Sequence, residues 1–171
     1  MAVVAIMGVL AALALNALNS HMKASKTGEA LSVVQAIRAS QERYRAENQQ
    51  YFGNSTQWCP SDGVASGDHE HPVETRQRFF REDCDPGVWQ TLRPDVERRV
   101  QFGYRVASGG PGAPLPSASE IITARKFPAG TTPSEPWYVV QAQADDDKDG
   151  VFCGVVATSF FPEVIVENEI E

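Results

Sequence analysis

The chain has 171 residues, 42% of them hydrophobic, with a formal net charge of -7 and a pI near 5.0. That length suits one domain plus an appended segment, and the apolar fraction is sufficient for a core. No basic block or stripe occurs, so no nucleic-acid-binding surface is expected. An acidic surface keeps an exposed protein soluble and self-repelling. Cys59, Cys84 and Cys153 are odd in number, which excludes a fully paired intramolecular framework. None lies in a C-x-x-C motif, so neither a zinc ribbon nor a thioredoxin-like centre is expected.

From Ala2 to Leu18 the sequence reads AVVAIMGVLAALALNAL, interrupted only by Asn16 and without a charge before Lys23. As a helix this run rises about 26 Å, slightly less than the roughly 30 Å hydrocarbon core of a bilayer. A signal peptide would open on a basic residue and close on a small-x-small cleavage site. No Lys or Arg precedes the run, and Leu18-Asn19-Ser20-His21 is not such a site. The run passes into polar sequence in which Ala30, Leu31, Val34, Ile37, Gln41 and Tyr44 recur at spacings of three or four. These form one stripe of an amphipathic helix, with Gln41 its weak point. No proline precedes Pro60. The pattern predicts one continuous helix from about Ala2 to Asn48, released near Gly53 and about 70 Å long. Its first half is apolar all round, and its second needs cover along one face. Such a helix suits an assembly in which the first half is buried among copies of itself. The competing reading is a single-span anchor.

The chain divides into an apolar helix (1–22), its amphipathic continuation (23–52) and a globular head (53–171). Within the head, 53–99 reads as a variable loop and short-helix region and 100–171 as an antiparallel sheet. Asn54 to His71 is rich in Ser, Gly, Asp and Asn and predicts a long loop. Pro72 could open a short helix with Val73, Gln77 and Phe80 on one side. Val100, Phe102, Tyr104 and Val106 alternate with Gln101, Gly103 and Arg105, the period of a half-buried strand. Gly109 to Ser119 reads as a proline-rich loop. Trp137–Ala144 and Val151–Phe160 flank Asp145–Gly150 as a hairpin with an enlarged loop, and Val164, Val166 and Ile170 suggest an edge strand. The expected fold class is α+β, with the long helix packed by its second half on about four antiparallel strands.

MAVVAIMGVLAALAL resembles the hydrophobic stem of type IV pilins and pseudopilins, and NALNSHMKASKTGEALSVVQAIRASQERYRAENQQYFG resembles the amphipathic helix that follows it. VQFGYRVASG, PWYVVQAQADDDKDG and VFCGVVATSFFPEVIVENEIE resemble the strands and loops of pilin-like heads. The resemblance covers residues 1–52 well and 100–171 loosely. It implies a pilin-like fold and a structural subunit of a type IV pilus-like filament, not an enzyme. It implies a single-pass inner-membrane protein that is extracted into a filament at the periplasm or cell surface. Val3, Val4, Ile6, Val9, Leu10, Leu13 and Leu15 would exchange lipid for the equivalent helices of other subunits. The partners implied are the chain itself, other pilins, the inner-membrane assembly machinery and, before assembly, lipid. A type II secretion pseudopilin is the alternative within the family. A membrane-anchored extracytoplasmic binding or sensor domain is the alternative outside it. Two departures stand out. The family's Gly-Phe-Thr-Leu-x-Glu-Leu does not appear, so its glutamate is expected just before Met1, in a chain trimmed or begun at a misassigned start. Asn16 stands where many pilins have a helix-kinking proline, which predicts a straighter helix.

Three candidate sites lie in the head. Asp145, Asp147 and Asp149, followed by Gly150, match the start of a calcium loop, D-x-D-x-D-G. Val156 stands where such a loop needs its bidentate glutamate, so a calcium site and a solvated acidic hairpin turn both remain open. Cys59 and Cys84 could form a disulfide if the head lies outside the cytoplasm, with Cys153 a buried thiol in a strand. Asp68-His69-Glu70-His71 has zinc-ligand chemistry, but no further His lies in the head, and an exposed polar loop is the expected reading. No Gly-x-Ser-x-Gly, P-loop, His-Glu-x-x-His or Rossmann pattern occurs.

Overall fold

The computed structural model describes residues 2–55, 57–60, 78–79, 84–96, 99–116, 132–145 and 151–168. Between residues 2 and 23 it describes side chains only at Met7, Gly8, Leu10, Ala11, Ala14, Leu18 and His21, and at 78–79 only the backbone. In chain order the elements are α1 (Ala2–Asn48), β1 (Arg78–Phe79), α2 (Pro86–Leu92), β2 (Arg99–Val100), β3 (Gly103–Gly109), β4 (Trp137–Ala144), β5 (Cys153–Thr158) and β6 (Ile165–Glu167). The architecture is α+β, as expected: a long N-terminal helix and a four-stranded antiparallel sheet in the order β3-β4-β5-β6.

The proline-free sequence gives α1 no reason to break, and it runs unbroken to Asn48. It stops at Gln49, whose φ of 61° is left-handed and whose N–H still donates to the Arg45 carbonyl at 2.8 Å. A left-handed residue at this position is a common way to end a helix. The predicted stripe is the buried one. Ala30, Val34, Ile37 and Gln41 are fully buried, and Leu31 and Tyr44 are partly buried beside them.

The stripe packs on the inner face of the sheet, against Tyr104 and Val106 of β3, Tyr138, Val140 and Ala142 of β4, and Val155 and Ala157 of β5. Register aligns these side chains in rows, Val106 opposite Val140 opposite Ala157 and Tyr104 opposite Ala142 opposite Val155. The other face is covered too. Trp137, Val139 and Val156 form a second cluster with Ala107, Ala113, Leu115 and Phe160. Strand β4 is therefore buried at every position. The edge of β3 is closed by residues 54–59. Ser55 and Cys59 donate backbone N–H groups to Val106 and Tyr104, and Asn54 and Ser55 accept from Ser108 and Val106 through their side chains. This leaves that edge unable to template a further strand.

Two expectations are corrected. The alternating run 100–106 is not one strand. It bends at Gln101–Phe102, because the Gln101 N–H is given to the Glu29 carboxylate on α1 at 2.8 Å. Val100 pairs instead with Arg78 in the two-stranded β1–β2 sheet. The helix expected from Pro72 lies outside the described residues as far as Gln77, and Arg78–Phe79 form a strand. Among the described residues of this region the short helix is α2, which has Pro86 in its first turn and buries Val88, Trp89 and Leu92. Proline is favoured there because its missing N–H and fixed φ cost nothing in the first turn.

Gln41, the apparent flaw in the stripe, is a pin. Its Nε2 donates to the Phe52 carbonyl at 2.6 Å, and its Oε1 accepts from the Phe52 N–H at 3.0 Å. Together the two bonds hold the chain where it turns back towards the sheet. Gln41→Leu keeps the volume but leaves both Phe52 backbone groups without this partner. We expect a loss of about 2–3 kcal/mol, read as a lower denaturation midpoint at unchanged m-value. A loss below about 0.5 kcal/mol would show that the pin is dispensable.

Candidate functional site

Helix α1 has two regimes. Among the described residues, buried positions begin at Thr27. Before that, Met7, Leu10 and Leu18 are 66%, 60% and 55% exposed. Large apolar side chains on a helix that its own chain does not cover mark an interaction surface. The uncovered surface also has a pattern. Met7, Ala11, Ala14, Leu18, His21, Ser25, Gly28, Ser32, Gln35 and Ala39 follow alternating spacings of four and three, and all are exposed. A repeat of 3.5 residues traces a slowly winding seam that a partner helix follows by supercoiling. Along this line no Asp, Glu, Lys or Arg occurs before Glu42. It lies on the side of α1 away from the buried stripe. A Cβ added at Gly28 would meet no atom within 4 Å.

The head grips the second half of α1 through polar contacts as well as the core. Arg43 donates to the Leu92 carbonyl, placing a cation on the C-terminal carbonyls of α2, where it is favoured. Tyr51 donates to Glu42 at 3.0 Å and accepts from Arg45 at 2.8 Å. Its ring meets Tyr138 edge-on at 4.7 Å. The Arg45–Glu135 ion pair at 3.4 Å is exposed and contributes little. Glu29 joins α1 to the Gln101 bend. Burial pushes its carboxyl above the usual value, partly offset by the Gln101 N–H that it accepts. Tyr104 is also pushed well above 10, first by burial and then by the neighbouring Glu29 charge.

The predicted residues fall as follows. Val3, Val4, Ile6, Val9, Leu13 and Leu15 belong to α1 by position, but their side chains lie outside the described residues; Leu10 is described and exposed. Cys59 and Cys84 are bridged, with their Cα atoms 5.8 Å apart. By closing a loop of 25 residues, the bridge is worth roughly 3–4 kcal/mol. Cys153 is buried, its Sγ 4.0 Å from Thr27 Oγ1. Asp145 is partly buried at the end of β4, while Asp147, Asp149 and the 68–71 segment lie outside the described residues. Among those described, no group of three His, Cys, Asp or Glu is placed to hold a metal. Among them, too, no helix is long and apolar enough to cross a membrane. Sequence reasoning missed the exposed line on α1 because most of its members, from Ala11 to Ala39, are small or polar and stand out only when the buried face is known. It also missed Glu29, which reads as an ordinary helical charge.

Comparison of the chain with family models, curated proteins and solved structures finds no match.

The Glu29 environment gives a pH test. A carboxyl whose folded value is raised contributes stability that is fully present below its unfolded value and lost as pH rises through the folded value. The ordinary value is 4.5, so the loss falls at and above that pH. Glu29→Gln keeps an oxygen for the Gln101 N–H and removes the buried charge. It is expected to be more stable than the parent at pH 7, with the difference shrinking towards pH 4. A difference independent of pH would refute this account of Glu29.

Proposed function

We propose that this chain is a structural subunit of a type IV pilus-like filament, with α1 as its assembly element and no catalytic role. The observation that carries the reading is the exposure of Met7, Leu10 and Leu18 in the first half of α1, continuous with a second half locked into the head. The uncovered half would rest in the inner membrane before assembly and among equivalent helices afterwards. The small residues of the exposed line would let those helices approach closely. The Cys59–Cys84 bridge suits a head in an oxidising compartment, periplasm or cell surface. The stem resemblance in MAVVAIMGVLAALAL adds to this.

The test uses filaments sheared from the cells that make the protein. The chain should be recovered in the sheared fraction. Leu10→Arg should abolish recovery. Gly28→Leu should reduce it without lowering the melting temperature, since glycine costs a helix about 1 kcal/mol relative to ordinary residues and its site is open. A chain found only in membranes, with sheared material unaffected by its deletion, would overturn the filament role in favour of an anchored binding domain.

A further inference from the structure

The outer face of the sheet holds a trough of about 390 Å³ that the assembly reading does not use. Its floor is β3, where Ala107 and Gly109 present almost no side chain. Gly109 is required, because a Cβ there would lie 2.5 Å from the Trp137 indole. Leu115 and its flanking prolines form an apolar wall, tied down where the Trp137 Nε1–H donates to the Ala113 carbonyl at 3.2 Å. At one end stands Arg105, opposite Gln141 in the β3–β4 register.

Arg105 is unusual for a half-buried cation. Its guanidinium lies over the Trp58 ring, 5.4 Å from the centroid. Among the described residues it has no ion-pair or hydrogen-bond partner. Other described guanidiniums are engaged by polar groups: Arg38 and Arg43 of α1 by Tyr138 and the Leu92 carbonyl, and Arg93 of the head by the Gln90 carbonyl. A guanidinium resting on a ring face keeps its N–H donors for a polar partner, and its fork matches a carboxylate in two parallel bonds.

We propose that this trough is a binding site for a small organic carboxylate. The acid group would meet Arg105, and the apolar body would lie along Ala107 against Leu115. The volume is at the small end of ligand pockets, which fits a single-ring acid. A single guanidinium in a molecule of charge -7 selects a monoanion over a phosphate dianion, which the surrounding negative field disfavours.

The test is an NMR titration of the full chain in detergent micelles with phenylacetate, its neutral analogue phenylacetamide and inorganic phosphate. Phenylacetate should give saturable shifts at the amides of Ala107, Ser108 and Leu115, with phenylacetamide and phosphate each at least about tenfold weaker. Arg105→Gln should weaken phenylacetate by about tenfold or more. Ala107→Leu, which fills the floor and leaves the guanidinium in place, should do the same, and it decides the matter if Arg105→Gln fails to fold. No saturable shift to tens of millimolar, equal affinity for the amide, tighter binding of phosphate, or unchanged affinity in Ala107→Leu would each overturn the proposal.

Discussion

A sheet of four strands cannot cover a helix of 47 residues. Three strand spacings span roughly 15 Å, whereas such a helix is about 70 Å long. The buried stretch from Thr27 to Gln41 rises about 21 Å, close to the reach of the sheet and to about a third of α1. Everything else in the molecule follows from that mismatch. The covered third sets where the core lies and which strand faces look inward. The uncovered remainder leaves Met7, Leu10 and Leu18 facing outward, with no further layer of the described head to receive them.

The covered third is not held by apolar contact alone. An all-apolar stripe could slide along the sheet by a turn at small cost, since one Val or Ala row resembles the next. Gln41 and Glu29 prevent this from opposite ends. Each bonds the backbone of a particular residue, Phe52 and Gln101, at the two points where the chain leaves regular structure. A shift by one turn, about 5.4 Å, would break both and leave buried polar groups unmatched, costing 1–3 kcal/mol for each group. Arg43 on the last carbonyl of α2 adds a third fixed point. The polar members of the stripe thus set its position, and the apolar members provide most of its stabilisation.

The long helix was legible because its signal is simple: no proline before Pro60, and a three-and-four spacing from Ala30 to Tyr44. The hairpin of β4 and β5 was legible from two β-rich runs about a polar turn. The Cys59–Cys84 bridge was legible as the pair of cysteines in turn-rich sequence, with Cys153 set apart in a strand. What escaped was non-local. The strand 100–106 is broken by Glu29, 72 residues away, and no local pattern carries that. The helix α2 has a clear first-turn proline at Pro86, but Pro72 offers the same local signal, and the packing of Trp89 and Leu92 that fixes α2 is non-local. Arg105 looks like the outward residue of an ordinary strand. Its character comes from Trp58, from the trough beside it, and from the absence of a polar partner among the described residues, none of which is encoded nearby.

The two faces of α1 therefore obey different rules within one unbroken helix. Towards the sheet, large side chains and two polar pins specify a single docking position. Away from it, Ala11, Ala14, Gly28, Ser32 and Ala39 specify almost nothing by themselves and instead leave room. A surface of that kind gains little from water exclusion by any one residue. It gains when a second elongated surface can approach along its whole length, because dispersion contacts are individually small and add up only over many atoms. The continuity of the helix is what makes this addition effective. A bend at Asn16, such as a proline would impose, would interrupt the line between Ala14 and Leu18. Asparagine there keeps α1 continuous, so the exposed positions before Gly28 and those from Gly28 to Ala39 lie on one unbroken helix.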